Sequence, residues 1–127
     1  MTATIAAIVY CAATAVVVAF QLALAAGAPW GELAMGSRYP GRFPPALRVG
    51  AVVQGLLLAG LAFLVCARAG LGPSALEAPS RNGIWVVVAI TVVSLILNVI
   101  TPSRRERALW APTALVLTVT SLLVATS

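Results

Sequence analysis

Residues 84–101 have the sequence IWVVVAITVVSLILNVIT, an unbroken run without a charged side chain. As an α-helix rising 1.5 Å per residue, this run is about 27 Å long, close to the thickness of the hydrocarbon core of a bilayer. Three comparable apolar runs occupy residues 4–26, 47–67 and 109–126, and Arg48 at the start of the second is the charge nearest to any of their interiors. The sequence therefore predicts one all-α domain over residues 1–127, a bundle of four transmembrane helices. We expect the spans at about 4–26, 47–67, 84–101 and 104–126, folded as two antiparallel hairpins.

The composition limits the chemistry available to this chain. Hydrophobic residues make up 61% of it, and it contains no His, Asp or Lys. Its acids are Glu32, Glu77 and Glu106, all outside the apolar runs. Proton-coupled transporters and intramembrane hydrolases need an ionisable group at membrane depth, and metal or haem sites need clustered His, Cys or carboxylate ligands. We therefore predict a non-enzymatic protein with no catalytic, metal or cofactor site.

The two cysteines, Cys11 and Cys66, fall in different predicted spans, and no C-x-x-C pair is present. Cys in a membrane helix usually serves as a small apolar residue. We expect both to be isolated in this way, without a disulfide.

Arginine supplies the whole positive charge, and its distribution predicts an orientation. The second connection, residues 68–83, carries only Arg68 and Arg81. The first and third connections and their flanks carry six arginines, namely Arg38, Arg42, Arg48, Arg104, Arg105 and Arg107. By the positive-inside rule the first and third connections are cytoplasmic and both termini lie outside. We expect a multi-pass protein of the plasma (inner) membrane, and no nucleic-acid binding, because these arginines flank spans. The six could also bind the phosphates of anionic lipids, since guanidinium pairs with phosphate.

The first connection, residues 28–44, is longer than a helical hairpin requires. Within it, Tyr39-Pro40-Gly41-Arg42 predicts a type II turn, because Pro fixes φ at the first central position and Gly accepts positive φ at the second. Helix termination at Gly27 and helix initiation at Pro44-Pro45 are expected on either side. Loops that exceed a connector's needs often carry function. The candidate functional residues of this loop are Trp30, Glu32, Tyr39, Pro40, Gly41 and Phe43.

The other two connections differ in character. Residues 68–83 are rich in Gly and Pro and predict an irregular solvent loop. Ser103 and Glu106 have the spacing of a capping box, in which the Ser103 hydroxyl accepts from the Glu106 amide and the Glu106 carboxylate accepts from the Ser103 amide. Helix four is therefore expected to begin near Arg104.

Polar residues in the third and fourth runs share helix faces. Offsets of three and four place together Thr91, Ser94, Asn98 and Thr101 on one helix, and Ala114, Thr118, Ser121 and Ala125 on the next. An antiparallel hairpin then pairs Asn98 with Ala114, Ser94 with Thr118 and Thr91 with Ser121. We expect hydrogen bonds across this seam, each stabilising the bundle by about 0.6 kcal/mol.

Small residues recur at every fourth position of the first two runs, namely Ala7, Cys11, Ala15, Ala19, Ala23 and Gly27, and Ala51, Gly55 and Ala59. Such ladders allow close packing of membrane helices, within the bundle or in a homodimer. Gln21 and Gln54 place amides at membrane depth, where they must find partners. They should therefore face inward, either bonding between helices or lining a path for a solute.

Two segments of this chain, residues 27–48 (GAPWGELAMGSRYPGRFPPALR) and 98–112 (NVITPSRRERALWAP), resemble those of a group of small bacterial four-span membrane proteins. The resemblance covers nearly the whole chain. It implies the four-span fold and brings no activity and no functional residues.

Three functional hypotheses follow. The first is a non-enzymatic scaffold or accessory subunit that acts by helix packing, with itself as a homodimer or with a membrane partner. The second is a passive channel or binding site for a small uncharged or anionic solute, lined by Thr91, Ser94, Asn98 and Gln54. The third is binding of anionic lipid by the arginines of the first and third connections.

Overall fold

The computed structural model describes residues 2–127, except for the side chain of residue 37. Its long helices are α1 (Thr2–Ala25), α2 (Pro45–Arg68), α3 (Glu77–Ile100) and α4 (Arg104–Ala125). Short 3-10 helices at Gly31–Leu33, Met35–Ser37 and Ser74–Leu76 lie in the connections, and the described residues contain no strand. Each of the four long helices is long and apolar enough to cross a membrane. The prediction of an all-α fold with four helices long and apolar enough to span a membrane is confirmed.

The ends of the first two helices follow local backbone chemistry. After α1, Gly27 adopts a φ of 101°, and the Ala28 amide donates to the Ala23 carbonyl at 2.9 Å. This glycine-dependent C-terminal motif was expected from the sequence. Pro45 occupies the first turn of α2, where its missing N–H has no intrahelical partner to lose.

The start of α3 was predicted wrongly. The helix begins at Glu77 and not near residue 84, so the irregular connection shrinks to residues 69–76. Pro79 falls in the first turn, where proline is tolerated, and the Ser80 hydroxyl donates to the Glu77 carbonyl at 2.7 Å. Gly83 lies inside α3 and faces α2, where a Cβ atom would make an ordinary van der Waals contact with Leu64 at 3.6 Å, so this glycine does not end the helix.

The helices run up and down around a ring. Contacts between Ala25 and Arg48, and between Thr91 and Ser121, show that α1–α2 and α3–α4 are antiparallel hairpins, while α1 also packs on α4 and α2 on α3. Loop 1 (residues 26–44) and loop 3 (residues 101–103) therefore lie at one end. We call residues 15–58 and 92–116 the loop-1 half, and residues 2–14, 59–91 and 117–127 the termini half.

The termini half has a closely packed apolar core. Its members include Tyr10, Val65, Ile84, Val87 and Val124, none more than 1% exposed. Large apolar side chains also cover the outside of the bundle, for example Leu56 at 69% and Ile100 at 68% exposure. An apolar exterior of this kind is what a bilayer, and not water, would solvate.

Small residues of α1 and α2 lie at the contact between these two helices. Ala51 and Gly55 are buried, and a Cβ atom on Gly55 would be 3.8 Å from the Cβ of Gln21, so this part of the α2 ladder packs on α1 within one chain. The prediction that the cysteines are isolated is wrong, because the Sγ atoms of Cys11 and Cys66 are 3.1 Å apart. The antiparallel register of α1 and α2 brings together residues that are 55 positions apart.

Candidate functional site

A cavity of about 410 Å³ lies in the loop-1 half, between the four helices and under loop 1. Aromatic and aliphatic side chains form much of its wall, among them Phe20, Phe43 and Trp110. Its amide, hydroxyl and carboxylate lining groups belong to Gln21, Gln54, Ser94, Asn98, Glu106 and Thr113. An apolar cavity with a few convergent polar groups is the usual form of a small-molecule site.

The glutamine amides are the least satisfied polar groups of this cavity. Every fully buried side-chain nitrogen or oxygen of the described residues has a hydrogen-bond partner. The amides of Gln21 and Gln54 retain contact with the cavity and make no hydrogen bond to residues 2–127. Gln21 is only 9% exposed. An amide without partners in an apolar environment costs about 1–3 kcal/mol, so these groups favour a polar ligand.

Asn98 and Ser94 lie across the cavity on α3. The Asn98 Nδ2 donates to the Ser94 carbonyl at 2.7 Å and to the Ser94 Oγ at 3.3 Å. These bonds stay within one helix, so the predicted pairing of Asn98 and Ser94 with α4 makes no hydrogen bond. The amide is held in place by α3 and its carbonyl side is left for another donor.

Glu106 is the functional candidate that sequence reasoning missed. It is 7% exposed, and its Oε2 accepts from the Gly36 amide at 3.0 Å and from the Thr101 Oγ1 at 3.2 Å. Half of the predicted capping box is confirmed, since the Ser103 Oγ accepts from the Glu106 amide at 3.2 Å. The other half is wrong, because the carboxylate is bonded to loop 1 and not to the Ser103 amide. Local spacing predicted only the Ser103 partner, whereas the Gly36 amide that Glu106 binds is 70 residues away along the chain.

Loop 1 covers this end of the cavity and is attached to α4 by further contacts. The Trp110 Nε1 donates to the Leu33 carbonyl at 2.8 Å, and Arg105 forms an ion pair with Glu32. The Phe20 ring packs on both Trp30 and Trp110, with centroids 6.3 Å and 4.7 Å away. Loop 1 is therefore a structured cover whose position depends on the first turns of α4.

The internal shape of loop 1 depends on close backbone contacts. The Gly31 amide donates to the Gly41 carbonyl at 2.8 Å, and Gly41 has the positive φ, 82°, that the predicted turn after Pro40 requires. Tyr39 packs edge-to-face on Phe43 with centroids 6.3 Å apart. Phe43 is buried and lines the cavity, whereas Trp30 and Tyr39 are exposed.

The remaining predicted polar residues lie outside the cavity. Thr91 and Ser121 are buried and their hydroxyls are 3.3 Å apart, as the predicted α3–α4 register requires. Thr118 donates to the Ala114 carbonyl of its own helix at 2.8 Å. Thr101 lies at the rim, bonded to Glu106.

The six arginines of the loop-1 end have unequal roles. Arg48 donates from Nε to the Ala25 carbonyl at 2.8 Å, and Arg107 donates to the Thr101 carbonyl at 2.7 Å. Both thus satisfy carbonyls at helix C-termini, where positive charge is favourable. The side chains of three others are exposed and make no hydrogen bond or ion pair with the described residues, namely Arg38, Arg42 and Arg104.

The exposure of the lining residues locates the mouth of the cavity. On α2, Gly50 and Gln54 are exposed, while Gln21 on α1 and Ala114 on α4 are buried. The cavity therefore opens sideways along α2. Towards the termini it is closed by the core around Tyr10 and Val87.

The polar groups that line the cavity are suited to hydrogen bonding. Within residues 2–127 no three Cys or Glu side chains are grouped as metal ligands. Comparison with protein-family models, curated proteins and solved structures finds no match for this chain. The fold defines a four-helix protein of the multi-pass membrane class, and the inference of function rests on the cavity.

Proposed function

We propose that this protein binds a small amphipathic molecule, neutral or cationic, in the cavity of the loop-1 half and catalyses no reaction. The ligand's hydrogen-bonding head would lie among Gln21, Gln54, Asn98 and Glu106, and its apolar part would contact the aromatic wall. The loop-1 end, with six of the eight arginines, is cytoplasmic in this proposal, and the membrane is the bacterial plasma membrane.

The observation that carries the proposal is the pair of glutamine amides lining the cavity without a protein partner. Gln21 and Gln54 come from different helices, and both lie well inside the apolar spans. A bundle that acted only by packing would be more stable with apolar residues here, because an unpaired amide is costly in the cavity wall, where Gln21 is buried, and beside lipid, where Gln54 is exposed. A ligand that pairs with them removes this cost.

The charge of the lining favours a neutral or cationic head over an anionic one. Glu106 is the charged residue among the lining side chains, and no arginine contributes to the wall. A carboxylate repels an anion in a low-dielectric cavity and attracts a hydrogen-bond donor or an ammonium group. Of the solutes considered from the sequence, the uncharged one is therefore retained and the anionic one is disfavoured.

The cavity is closed at its end towards the termini, which supports a binding site over an open channel. Tyr10, Ile84 and Val87 fill the space between the cavity and the termini, each no more than 1% exposed. The mouth beside Gln54 faces the side of the bundle, which would adjoin lipid. A molecule dissolved in the bilayer could enter there without crossing the membrane.

The test uses three probes with one alkyl chain and different heads: decanamide, decylamine and decanoate. Trp110 lines the cavity, so binding is measured by its fluorescence in nanodiscs, in protein carrying Trp30→Phe and Trp85→Phe. We expect saturable changes with decanamide and decylamine and none with decanoate. Gln54→Leu should weaken the saturable binding about tenfold, because one hydrogen bond in a dry site is worth about 1.4 kcal/mol.

Asn82→Leu is the matched control, since it also replaces an amide with Leu but lies outside the cavity at the other end of α3. It should leave probe binding unchanged. Fluorescence changes that do not saturate, or that are equal in the Gln54→Leu protein, would show that the probes only partition into lipid and would refute the proposal.

A second candidate function is supported by the exposed arginines. Arg38, Arg42 and Arg104 lie at the loop-1 end without partners in the described chain, and guanidinium groups bind lipid phosphate well. Native mass spectrometry after extraction from membranes containing phosphatidylglycerol tests this function. Enrichment of the anionic lipid, lost in a triple Arg→Gln variant, would support it, and equal retention of neutral and anionic lipids would exclude it.

A further inference from the structure

The cysteine pair lies in the termini half, away from the cavity, and its geometry is that of two groups able to react with each other. The Sγ atoms of Cys11 and Cys66 are 3.1 Å apart, and the side chains come from neighbouring antiparallel helices. A disulfide bond is about 2.05 Å long, so closure requires the sulfurs to approach by about 1 Å, within the range of small side-chain adjustments.

The position of the pair allows an oxidant to reach it. Both cysteines are half-buried and not enclosed. Cys66 lies two residues before Arg68, the last residue of α2, which places it about 3 Å along the axis from a charged helix end. Arg68 donates to the carbonyl of Ser127, and this end of the bundle is exposed. Cys66 is therefore close to the level of the head groups, where a water-soluble oxidant can reach it.

We propose that Cys11 and Cys66 form a reversible disulfide that covalently joins α1 to α2 at the end opposite the cavity. The oxidant is another disulfide, from a small molecule or a protein. In the orientation proposed above this end faces the outside of the cell, where disulfides persist. The site is independent of ligand binding in the cavity.

The exchange balances as two successive thiol–disulfide steps. The Cys66 thiol gives its proton to water and its sulfur attacks one sulfur of the oxidant, whose S–S bond breaks, and one half of the oxidant leaves as a thiolate that takes up a proton from water. The Cys11 sulfur then attacks the Cys66 Sγ, the mixed disulfide breaks, and the Cys11 proton passes to the second departing thiolate. Two protein thiols are oxidised and one oxidant disulfide is reduced to two thiols.

The experiment treats the reduced, full-length protein in lipid vesicles with oxidised glutathione. The reaction is then quenched in acid, alkylated with N-ethylmaleimide and measured by intact mass. We expect a product two hydrogens lighter that accepts no alkyl group, and recovery of two alkylated thiols after dithiothreitol. Stable glutathione adducts, disulfide-linked dimers or two unreacted thiols would each overturn the proposal.

Two further measurements separate the folded geometry from chance encounter. Cys11→Ser should stop at a mixed disulfide between Cys66 and glutathione, because the second thiol is missing. Closure of the wild-type pair should be at least about tenfold slower in protein unfolded in SDS, where the helices no longer hold the sulfurs together. Equal rates in the two states would contradict a preformed pair even if the Cys11→Ser variant failed to fold.

Discussion

The loop-1 half and the termini half of this bundle are held together by different kinds of contact. In the termini half, Tyr10, Val87 and Val124 are almost completely buried in a continuous apolar core. In the loop-1 half, the helices surround a cavity, and directional bonds such as Glu106 to Gly36 connect loop 1 to α4. Helices in lipid gain no hydrophobic energy by associating, so close packing and hydrogen bonds must do this work. We therefore expect single substitutions to have local, large effects in the loop-1 half and distributed ones in the termini half.

Of the substitutions considered, Gly31→Ala should destabilise loop 1 the most. A Cβ atom at residue 31 would lie 1.9 Å from the Tyr39 carbonyl oxygen and 2.7 Å from that of Gly41. Loop 1 must change its backbone to avoid this overlap, and the bond from the Gly31 amide is lost. We expect the free energy of opening of loop 1 to fall by about 3 kcal/mol, measured by hydrogen exchange.

The control is Gly60→Ala on α2, where an added Cβ has nothing within 4 Å. It should leave loop 1 unchanged and slightly favour the helix. Trypsin cleavage after Arg38 and Arg42 should accelerate only in the Gly31→Ala protein. Loss of exchange protection spread equally over both halves would show that the two halves are one cooperative unit.

Glu106→Gln should have the next largest effect. The substitution keeps the shape of the side chain but replaces a charged acceptor of two hydrogen bonds with a neutral one. We expect loop 1 to be less stable by about 2 kcal/mol, because bonds to charged groups are worth about 1.5–3 kcal/mol. Hydrogen exchange at residues 31–37 measures the change.

Glu77→Gln supplies the matched control, since Glu77 is exposed in the first turn of α3 at the opposite end. Glu77→Gln should lower the stability of loop 1 much less than Glu106→Gln does. If the two variants were equally stable, the Glu106 carboxylate would not be what holds loop 1 over the cavity.

In both halves, the features that depend on local sequence signals were the ones that could be predicted. Run length and the absence of charge predicted the four helices, and the glycine and proline signals at Gly27 and Pro45 predicted two helix ends. The register of α3 and α4 could also be predicted, because polar spacing on adjacent helices joined by a short loop leaves few alternatives. The same signals failed at Pro79 and Gly83, since proline in a first turn and glycine at a helix contact do not interrupt a helix.

The cavity was only partly predictable. The need of an amide for partners at membrane depth indicated that Gln21, Gln54 and Asn98 face inward, but not that they share one space. The contacts of Glu106 with Gly36 and of Cys11 with Cys66 join residues 70 and 55 positions apart, so no local pattern encodes them. They depend on how loop 1 folds and on the register of α1 against α2.

Trp110→Phe should perturb the contact between loop 1 and α4 less than the two substitutions above. The substitution removes the indole N–H that donates to the Leu33 carbonyl and keeps an aromatic ring against Phe20. We expect loop 1 to lose about 1 kcal/mol of stability, the value of one neutral hydrogen bond. Trp85→Phe, at an exposed position of α3, should cost almost nothing, and an equal loss in both variants would show that ring size, and not the bond, is responsible.

The smallest expected effect lies in the termini half, at the hydroxyls of Thr91 and Ser121. A double-mutant cycle of Thr91→Val and Ser121→Ala should give a coupling energy of about 0.6 kcal/mol, as for other hydrogen bonds between membrane helices. Unfolding in mixed detergent micelles measures each variant. Thr118→Val combined with Ser121→Ala is the matched cycle, because Thr118 donates only within its own helix. Each hydroxyl has one proton and an alternative acceptor on its own helix, the Val88 carbonyl for Thr91 at 2.8 Å and the Thr118 carbonyl for Ser121 at 3.1 Å, so the bond between them contributes less than the bond between Glu106 and Gly36. A coupling above about 2 kcal/mol would mean that directional bonds organise the termini half as strongly as they organise the loop-1 half.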